Sequence, residues 1–195
     1  VNAYFLRDYH KDADNDRIVL TGGGQYFVDT RKPNVSNPFV ERLGIEVKIC
    51  PEVKHCPLAL IKMNDPMEGN DIEVVEPCDI KPAPQDTMEL PGFGIREYTN
   101  FYIAEITVEY DALCNKYFKN NEFIFCVKNE GEINIIFSGP AVMFGRLYGI
   151  RGLRHRDPEA PIKFINVCHY TCEHFITSVA YEQMSLGFNS DLEKK

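Results

Sequence analysis

The amino-acid sequence predicts an all-β protein, built as a barrel, a sandwich or a trefoil. Its apolar segments are short, and they alternate with polar residues or run unbroken for only a few positions. These segments are rich in Val, Ile, Phe, Tyr and Thr, the residue types that favour strands, and helical periodicity is scarce. Twelve prolines and thirteen glycines, with many Asn and Asp residues, separate the segments and indicate turns.

Twelve segments fit a strand pattern at roughly even spacing, and such spacing is typical of these all-β folds. In chain order they are YFLRD, QYFVDT, GIEVKI, LALIKM, DIEVVE, YIAEITVEY, EFIFCVK, INIIFS, RLYGI, IKFINV, FITSVAY and MSLGF. Residues 171–181 are also compatible with a helix, but the β-branched Ile176, Thr177 and Val179 favour a strand there. Residues 77–94 hold four prolines and are predicted as a surface loop, because proline removes a donor from a strand ladder.

The length and the charge of the chain limit the class of protein. The 195 residues suffice for one domain with a full core, and no linker divides them, so we expect a single domain over residues 1–195. The net charge of -8 disfavours nucleic acid, whose phosphates need a basic surface, and weakly disfavours anionic membranes. No apolar stretch approaches the roughly 20 residues of a membrane helix.

Recognisable catalytic motifs are absent from the sequence. It contains neither GxSxG nor HExxH, and no pair of acidic residues has a familiar spacing. Seven cysteines and five histidines could supply a Cys–His hydrolase, but their order selects no pair. We therefore expect that the chain is not an enzyme and needs no cofactor.

The cysteines indicate an oxidising compartment. Cys56, Cys114, Cys168 and Cys172 are placed as one long and one short pair, as in a disulfide framework. Asn34 opens a glycosylation sequon, Asn-Val-Ser. The chain begins at VNAYFLRDY, as a mature secreted chain would, so we expect a secreted or vacuolar protein whose signal peptide has been removed.

Two clusters of chemically active residues have competing interpretations. Cys168, His169, Cys172 and His174 suggest zinc, but without a second, distant ligand pair we favour a disulfide with incidental histidines and expect no metal. The segment GLRHRDPEAP, residues 152–161, is basic in its first half. It predicts either contact with an acidic partner or a solvated hairpin loop, and the loop is favoured because charged loops usually serve solubility.

Four pieces of the sequence occur in the order found in one family. They are FLRDYHKDADNDRIVLTGGGQYFVDT, KHCPLALIKMNDPMEGNDIEVVEP with its Cys-Pro-Leu strand, FYIAEITVEYDALC, and the closely spaced Cys168 and Cys172. In these pieces the chain resembles the plant Kunitz inhibitors of the soybean trypsin inhibitor type, nearest to the cereal bifunctional α-amylase/subtilisin inhibitors. The resemblance covers nearly the whole chain and implies a disulfide-stabilised β-trefoil of about twelve strands.

The same resemblance implies how the cysteines pair. Cys56 would pair with Cys114 and Cys168 with Cys172, while Cys50, Cys78 and Cys126 are extra to the family. One hypothesis pairs Cys78 with Cys50. The alternative leaves Cys78 as a surface thiol that links two chains into a disulfide-bonded dimer. Cys126 has apolar neighbours, so we expect it to be a buried thiol.

An inhibitory loop is the last feature that the resemblance implies. It would comprise Pro77, Cys78, Asp79, Ile80, Lys81 and Pro82 and would enter the cleft of a target enzyme. The implied function is a secreted plant inhibitor of a hydrolase, a serine protease or an α-amylase, with that enzyme as its partner. The alternative is a storage or defence protein of the same fold without inhibitory activity. A lipocalin-like barrel is disfavoured because the chain has no tryptophan.

Overall fold

A computed structural model describes residues 18–22, 40–68, 74–94, 101–119, 121–129 and 136–192. The strands in these ranges are β1 Val19–Gly22, β2 Val40–Ile49, β3 Ala59–Met63, β4 Glu76–Pro77, β5 Thr87–Gly94, β6 Phe101–Thr107, β7 Ile124–Val127, β8 Ile136–Ser138, β9 Pro140–Met143, β10 Arg146–Arg151 and β11 Ile162–Asn166. The helices are α1 Asp111–Tyr117, α2 Tyr170–Leu192 and a short 3-10 helix, Asn121–Phe123.

The strands form two sheets that are antiparallel except at one short edge. The small sheet has the order β1-β2-β3, and the large sheet has the order β6-β5-β9-β10-β11-β7. In the large sheet β8 pairs with β5, and β4 pairs in parallel with β10. The chain passes from the small sheet to the large one after β3. Residues 50–58 form the loop that precedes β3, and this loop also reaches the large sheet.

The core of the large sheet follows the two-residue period of its strands. Met88 and Leu90 of β5 are buried while Glu89 between them is exposed, because successive side chains of a strand point to opposite faces. Phe125 of β7 and Phe164 of β11 lie opposite each other in register, with ring centroids 5.3 Å apart. The remaining buried residues of this core are Ala104, Ile106, Val108, Val127, Ala141 and Ile162.

Helix α2 packs a second core against the loop before β3. Cys172, Phe175 and Val179 are buried at positions i, i+3 and i+7, and Ile176 is half-buried beside them. This spacing places them on one face of a helix. None of the described helices is long and apolar enough to cross a membrane.

Three disulfides join parts of the chain that are distant in sequence or lie on different elements. They are Cys56–Cys172, Cys78–Cys168 and Cys114–Cys126, and Cys50 is a free, buried thiol. Three disulfides fit a secreted protein.

The pairing that the sequence predicted is therefore wrong, although all four of those cysteines are in disulfides. Cys114 lies on α1, which packs beside β7, so its partner is Cys126 of β7. Cys56 lies in the loop that faces the first turn of α2 and reaches Cys172. The proposed Cys50–Cys78 pair is wrong too, because Cys78 pairs with Cys168. The same bond leaves Cys78 no free thiol for a dimer, and Cys126 is buried but oxidised.

The β-trefoil of about twelve strands is also wrong. The two segments predicted as the last strands, FITSVAY and MSLGF, lie within α2. Residues 77–94, predicted as a loop, contain β5, which pairs with β6 along its length. The segments YFLRD and QYFVDT lie outside the described residues.

The contribution of the Cys56–Cys172 bond to stability is set by the loop that it closes. Its partners are 116 residues apart, but Cys78–Cys168 already closes most of that interval. With Cys78–Cys168 in place, the Cys56–Cys172 bond closes a loop of roughly 26 residues. This loop consists of the segment from Cys56 to Cys78 and the segment from Cys168 to Cys172. The loop-entropy model assigns such a loop about 3.5 kcal/mol.

We expect the double variant Cys56→Ala/Cys172→Ala to lose about 3.5 kcal/mol of unfolding free energy, because the unfolded chain gains that loop entropy. Urea denaturation under non-reducing conditions measures the loss. Cys50→Ala is the matched control, since it removes a buried sulfur but no cross-link and costs about 1 kcal/mol. Equal losses in the two variants would contradict this role of the disulfide.

Candidate functional site

A cavity of about 300 Å³ opens where the loop before β3 meets the large sheet. We call it the lysine pocket, after the basic side chains Lys54, Lys119 and Lys163 that line it together with His55. Its aromatic and aliphatic lining comes from Tyr117, Phe118, Phe123, Ile124, Leu153 and Ile165. Pockets of this size at the junction of two structural units are common places for ligands to bind.

The end of helix α1 forms one wall of the lysine pocket. The N–H of Phe118 donates a hydrogen bond to the carbonyl of Cys114 (2.9 Å), which ends the helix and directs the ring of Phe118 inward, where it is buried. The disulfide Cys114–Cys126 fixes this helix to β7. The ring of His155 packs edge-on against Tyr117 and Phe118, with centroids 5.9 and 5.5 Å away. This wall is therefore held by a covalent bond and by ring packing.

The opposite wall is the loop before β3. Cys56 lies between two residues that line the pocket, His55 and Pro57, so its disulfide to Cys172 anchors this wall as well. The His55 ring stacks on Phe123 with centroids 4.4 Å apart, and its Nδ1 lies 3.1 Å from Oε2 of Glu52.

Lys163 of β11 supplies the innermost positive charge of the pocket. Its side chain is half-buried, and its Nζ lies 5.4 Å from the ring centroid of Phe118. Burial lowers the pKa of Lys163, because removal from water disfavours the charged ammonium. Gly152 leaves room for this side chain, since a Cβ at that position would come within 2.9 Å of Cγ of Lys163.

The electrostatic character of the lysine pocket is positive. No carboxylate lines it, and among the described residues none lies within ion-pairing distance of Lys54, Lys119 or Lys163. Arg151, at the end of β10, is buried. Burial, and then repulsion from Arg154, lower the pKa of Arg151 to about 10. Such a site favours an anion that carries an apolar group.

Beside the pocket the chain leaves strand β10 in an exposed segment that begins at Leu153. The N–H of Gly152 still donates to the carbonyl of Lys163 (2.9 Å), which continues the pairing with β11. The next two residues, Leu153 and Arg154, make no backbone hydrogen bond within the described part of the chain. Leu153 is 44% exposed. Exposed backbone groups of this kind are a template for pairing with another strand.

The residues predicted as an inhibitory loop lie between β4 and β5 and are tied to the body of the protein. Asp79 forms an ion pair with Arg146, and Nζ of Lys81 lies 3.1 Å from Oδ1 of Asp111. Pro77 belongs to β4, Cys78 and Pro82 are buried, and only Ile80 is a large apolar residue on the surface, 78% exposed. No observation tests whether this loop contacts a partner, so that role stays a sequence prediction.

Two other predicted sites have different outcomes. Asn34 and its sequon lie outside the described residues. In the cluster considered for zinc, Cys168 and Cys172 are both oxidised, and Nδ1 of His169 accepts the N–H of Thr171 (3.3 Å). The searched residues hold no group of three or more His, Cys, Asp or Glu side chains that could bind a metal ion.

A serine protease triad requires a buried Asp that orients a His beside a Ser. Of the four described histidines, His55 contacts Glu52, and the rings of His155 and His169 accept backbone N–H groups. His174 is exposed on α2, and none of the ion pairs among the described residues joins it to an aspartate. The described aspartates that precede Ser138 also contact other groups. Asp65 contacts Asn64, Asp79 contacts Arg146, Asp86 accepts the N–H of Ala83, and Asp111 contacts Lys81. No His–Asp pair therefore forms among the side chains that the structure describes. His10 lies outside them.

Comparison of the chain with known proteins identifies its fold. No family model and no curated protein matches it. Among solved structures, kallikrein-related peptidase 10 in complex with Zn²⁺ matches with a TM-score of 0.60 and 17% identity, over 73% of this chain and 74% of the other. A scabies mite inactivated protease paralogue matches with a TM-score of 0.57 and 20% identity, over 75% and 72% of the two chains. Neuropsin, a serine protease expressed in the limbic system of mouse brain, matches with a TM-score of 0.54 and 19% identity, over 72% and 73%.

The chain has the fold of the trypsin-like serine proteases. These structures cover about three quarters of the chain with TM-scores above 0.5, so the resemblance to the Kunitz inhibitors is wrong. The inhibitor function and the target hydrolase as a partner are wrong with it, and the storage protein of the same fold has no support. The prediction that the chain is not an enzyme is corrected too, because its fold is shared by enzymes and gives no ground to exclude catalysis.

Sequence reasoning missed the lysine pocket because its residues are scattered. They come from the loop before β3, from the end of α1, from β7 and from β11, and no short motif joins them. The only signal was the basic segment 152–161, of which Gly152 and Leu153 line the pocket. The proximity of residues so far apart in sequence can be predicted only when the strand order and the disulfide pairing are known.

The state of Cys50 gives a direct check of the disulfide assignment. It is 2% exposed, and burial raises its thiol pKa, which lowers the thiolate fraction that reacts with disulfide reagents. We expect a thiol-titrating disulfide reagent to detect one thiol per chain in urea and to react far more slowly with the native protein. Cys50→Ala should leave no titratable thiol. Three titratable thiols in the unfolded wild type would contradict the three disulfides.

Proposed function

We propose that this chain is a secreted, protease-like protein that binds an extended polypeptide beside the lysine pocket. The observation that carries the proposal is the exposed segment after β10. Leu153 and Arg154 keep backbone donors and acceptors without partners among the described residues, at the rim of a cavity large enough for a side chain. A peptide that pairs with this segment gains sequence-independent hydrogen bonds, and the cavity then selects one of its side chains.

The rigidity of the site supports this proposal. Disulfides anchor both walls of the pocket, and β10 and β11 pair in register directly before the exposed segment. A binding surface that is ordered before the ligand arrives loses little conformational entropy when it binds. The solved structures of similar fold support it too, since they are two peptidases and one inactivated protease paralogue. The vacuolar alternative was predicted together with the resemblance to the plant inhibitors. Because that resemblance is wrong, the proposal names secretion alone.

A second candidate function is hydrolysis of the bound peptide. It is favoured by the order of residues along the chain: His10 comes first, several aspartates follow, and Ser138 precedes Gly139 and Pro140. Proteases of the chymotrypsin type carry their triad in the same order, His, Asp and Ser. The described aspartates with other partners weigh against it, which makes peptide binding the first candidate.

Peptide binding is tested by removing one backbone donor. We expect Leu153→Pro to weaken binding about tenfold or more for peptides selected from a random phage-displayed library on the wild-type chain, because proline has no N–H to pair with a strand. Leu153→Ala keeps the N–H and is the matched control, with a smaller loss. Thermal unfolding shows whether both variants remain folded. Equal affinities for Leu153→Pro and wild type would contradict the proposal.

Hydrolysis is tested with a fluorophosphonate probe, which labels activated serine nucleophiles. Under the second candidate, the wild-type chain is labelled, and neither Ser138→Ala nor His10→Ala is labelled, since the hydroxyl needs its base. Labelling is read by gel fluorescence beside trypsin as a positive control. A wild-type chain that binds peptide but takes no label would reject the second candidate and leave the first intact.

A further inference from the structure

We propose that the lysine pocket selects an acidic side chain, Glu or Asp, in the polypeptide that pairs with the segment after β10. This inference rests on the proposed function and adds its specificity. Three ammonium groups line the pocket from three separate elements, and no carboxylate lines it. The chain as a whole has 29 acidic and 21 basic residues, so a cavity with only positive charges differs in sign from the protein around it.

Lys163 is the residue that would meet the ligand carboxylate. Its ammonium is half-buried, lies against the ring of Phe118, and has no counter-charge among the described residues. A partly desolvated cation without a partner is costly for the protein alone, and a bound anion offsets that cost. The same loss of hydration on burial also lowers the pKa of Lys163. Binding of a carboxylate would therefore gain more at Lys163 than at an exposed lysine.

The other groups of the pocket fit the rest of an acidic residue. Lys54 and Lys119 are exposed at the rim, where they attract a negative peptide over a distance but contribute less to a buried contact. Phe118, Phe123 and Ile165 offer apolar surface for the methylene groups of the ligand. Leu153 lines the pocket and also belongs to the exposed segment, so a peptide paired there has a side chain at the mouth of the cavity.

A carboxylate suits this pocket better than a phosphate. Of the three lysines that line the pocket, only Lys163 is half-buried, which matches a single negative charge. No arginine lines the pocket, and arginine is the residue whose planar group binds phosphate through two parallel hydrogen bonds. Arg151 is buried and does not line the pocket. We therefore assign the pocket to Glu or Asp of a peptide.

The test compares peptides that differ in one charge. A fluorescently labelled peptide from the phage selection is made with Glu, Gln or phosphoserine at the position that the selection enriches, and its affinity is measured by fluorescence anisotropy. We expect the Glu peptide to bind about tenfold more tightly than the Gln peptide, as is usual for one charge-assisted hydrogen bond. Lys163→Met keeps an unbranched chain against Phe118 without the charge, and it should reduce this ratio to about one.

Lys128→Met is the matched control, because Lys128 is exposed, does not line the pocket and carries the same charge. It should leave the Glu-to-Gln ratio unchanged. Peptides that bind without a preference for Glu, a ratio that survives in Lys163→Met, or tighter binding of phosphoserine would each overturn the acidic specificity while peptide binding stands. Failure of every library peptide to bind would instead overturn the proposed function, and this inference with it.

Discussion

The Cys56–Cys172 disulfide is the constraint on which the geometry of the site depends. It joins the loop before β3 to the first turn of α2, and it lies at the centre of a buried cluster that includes Leu58 and Val167. Without it, only packing would hold His55 and Pro57 against the large sheet. One covalent bond thus fixes both the position of α2 and the shape of a binding cavity, which links the stability of the fold to the order of the site.

The lysine pocket holds a charge that folding leaves partly removed from water. Lys163 loses part of its hydration on folding, and among the described residues its ammonium gains the face of the Phe118 ring in return. The surrounding disulfides and the ring packing of His155 supply stability elsewhere. A carboxylate bound as proposed would offset the loss of hydration at Lys163.

Alternation along the chain was sufficient to locate most strands. The segments GIEVKI, LALIKM, YIAEITVEY, EFIFCVK, RLYGI and IKFINV coincide with β2, β3, β6, β7, β10 and β11. β5 was missed because residues 77–94 hold four prolines, but only Pro91 lies in β5, opposite the break between β8 and β9, where its missing N–H costs little. α2 was missed because tertiary burial of Phe175 and Val179 outweighs the β-branched residues between them. Disulfide pairing, and hence the pocket, depends on contacts between distant residues and could not be derived from spacing.

The arrangement of the disulfides also determines what a cut in the exposed segment 153–159 would do. That segment lies after Cys126 and before Cys168, and its residues are all exposed. A nick there divides the chain in two, but Cys56–Cys172 and Cys78–Cys168 still cross the break. The two pieces remain one covalent molecule until they are reduced. Outside the cell, where proteases act, the protein can therefore be cleaved beside the lysine pocket without separating into two molecules.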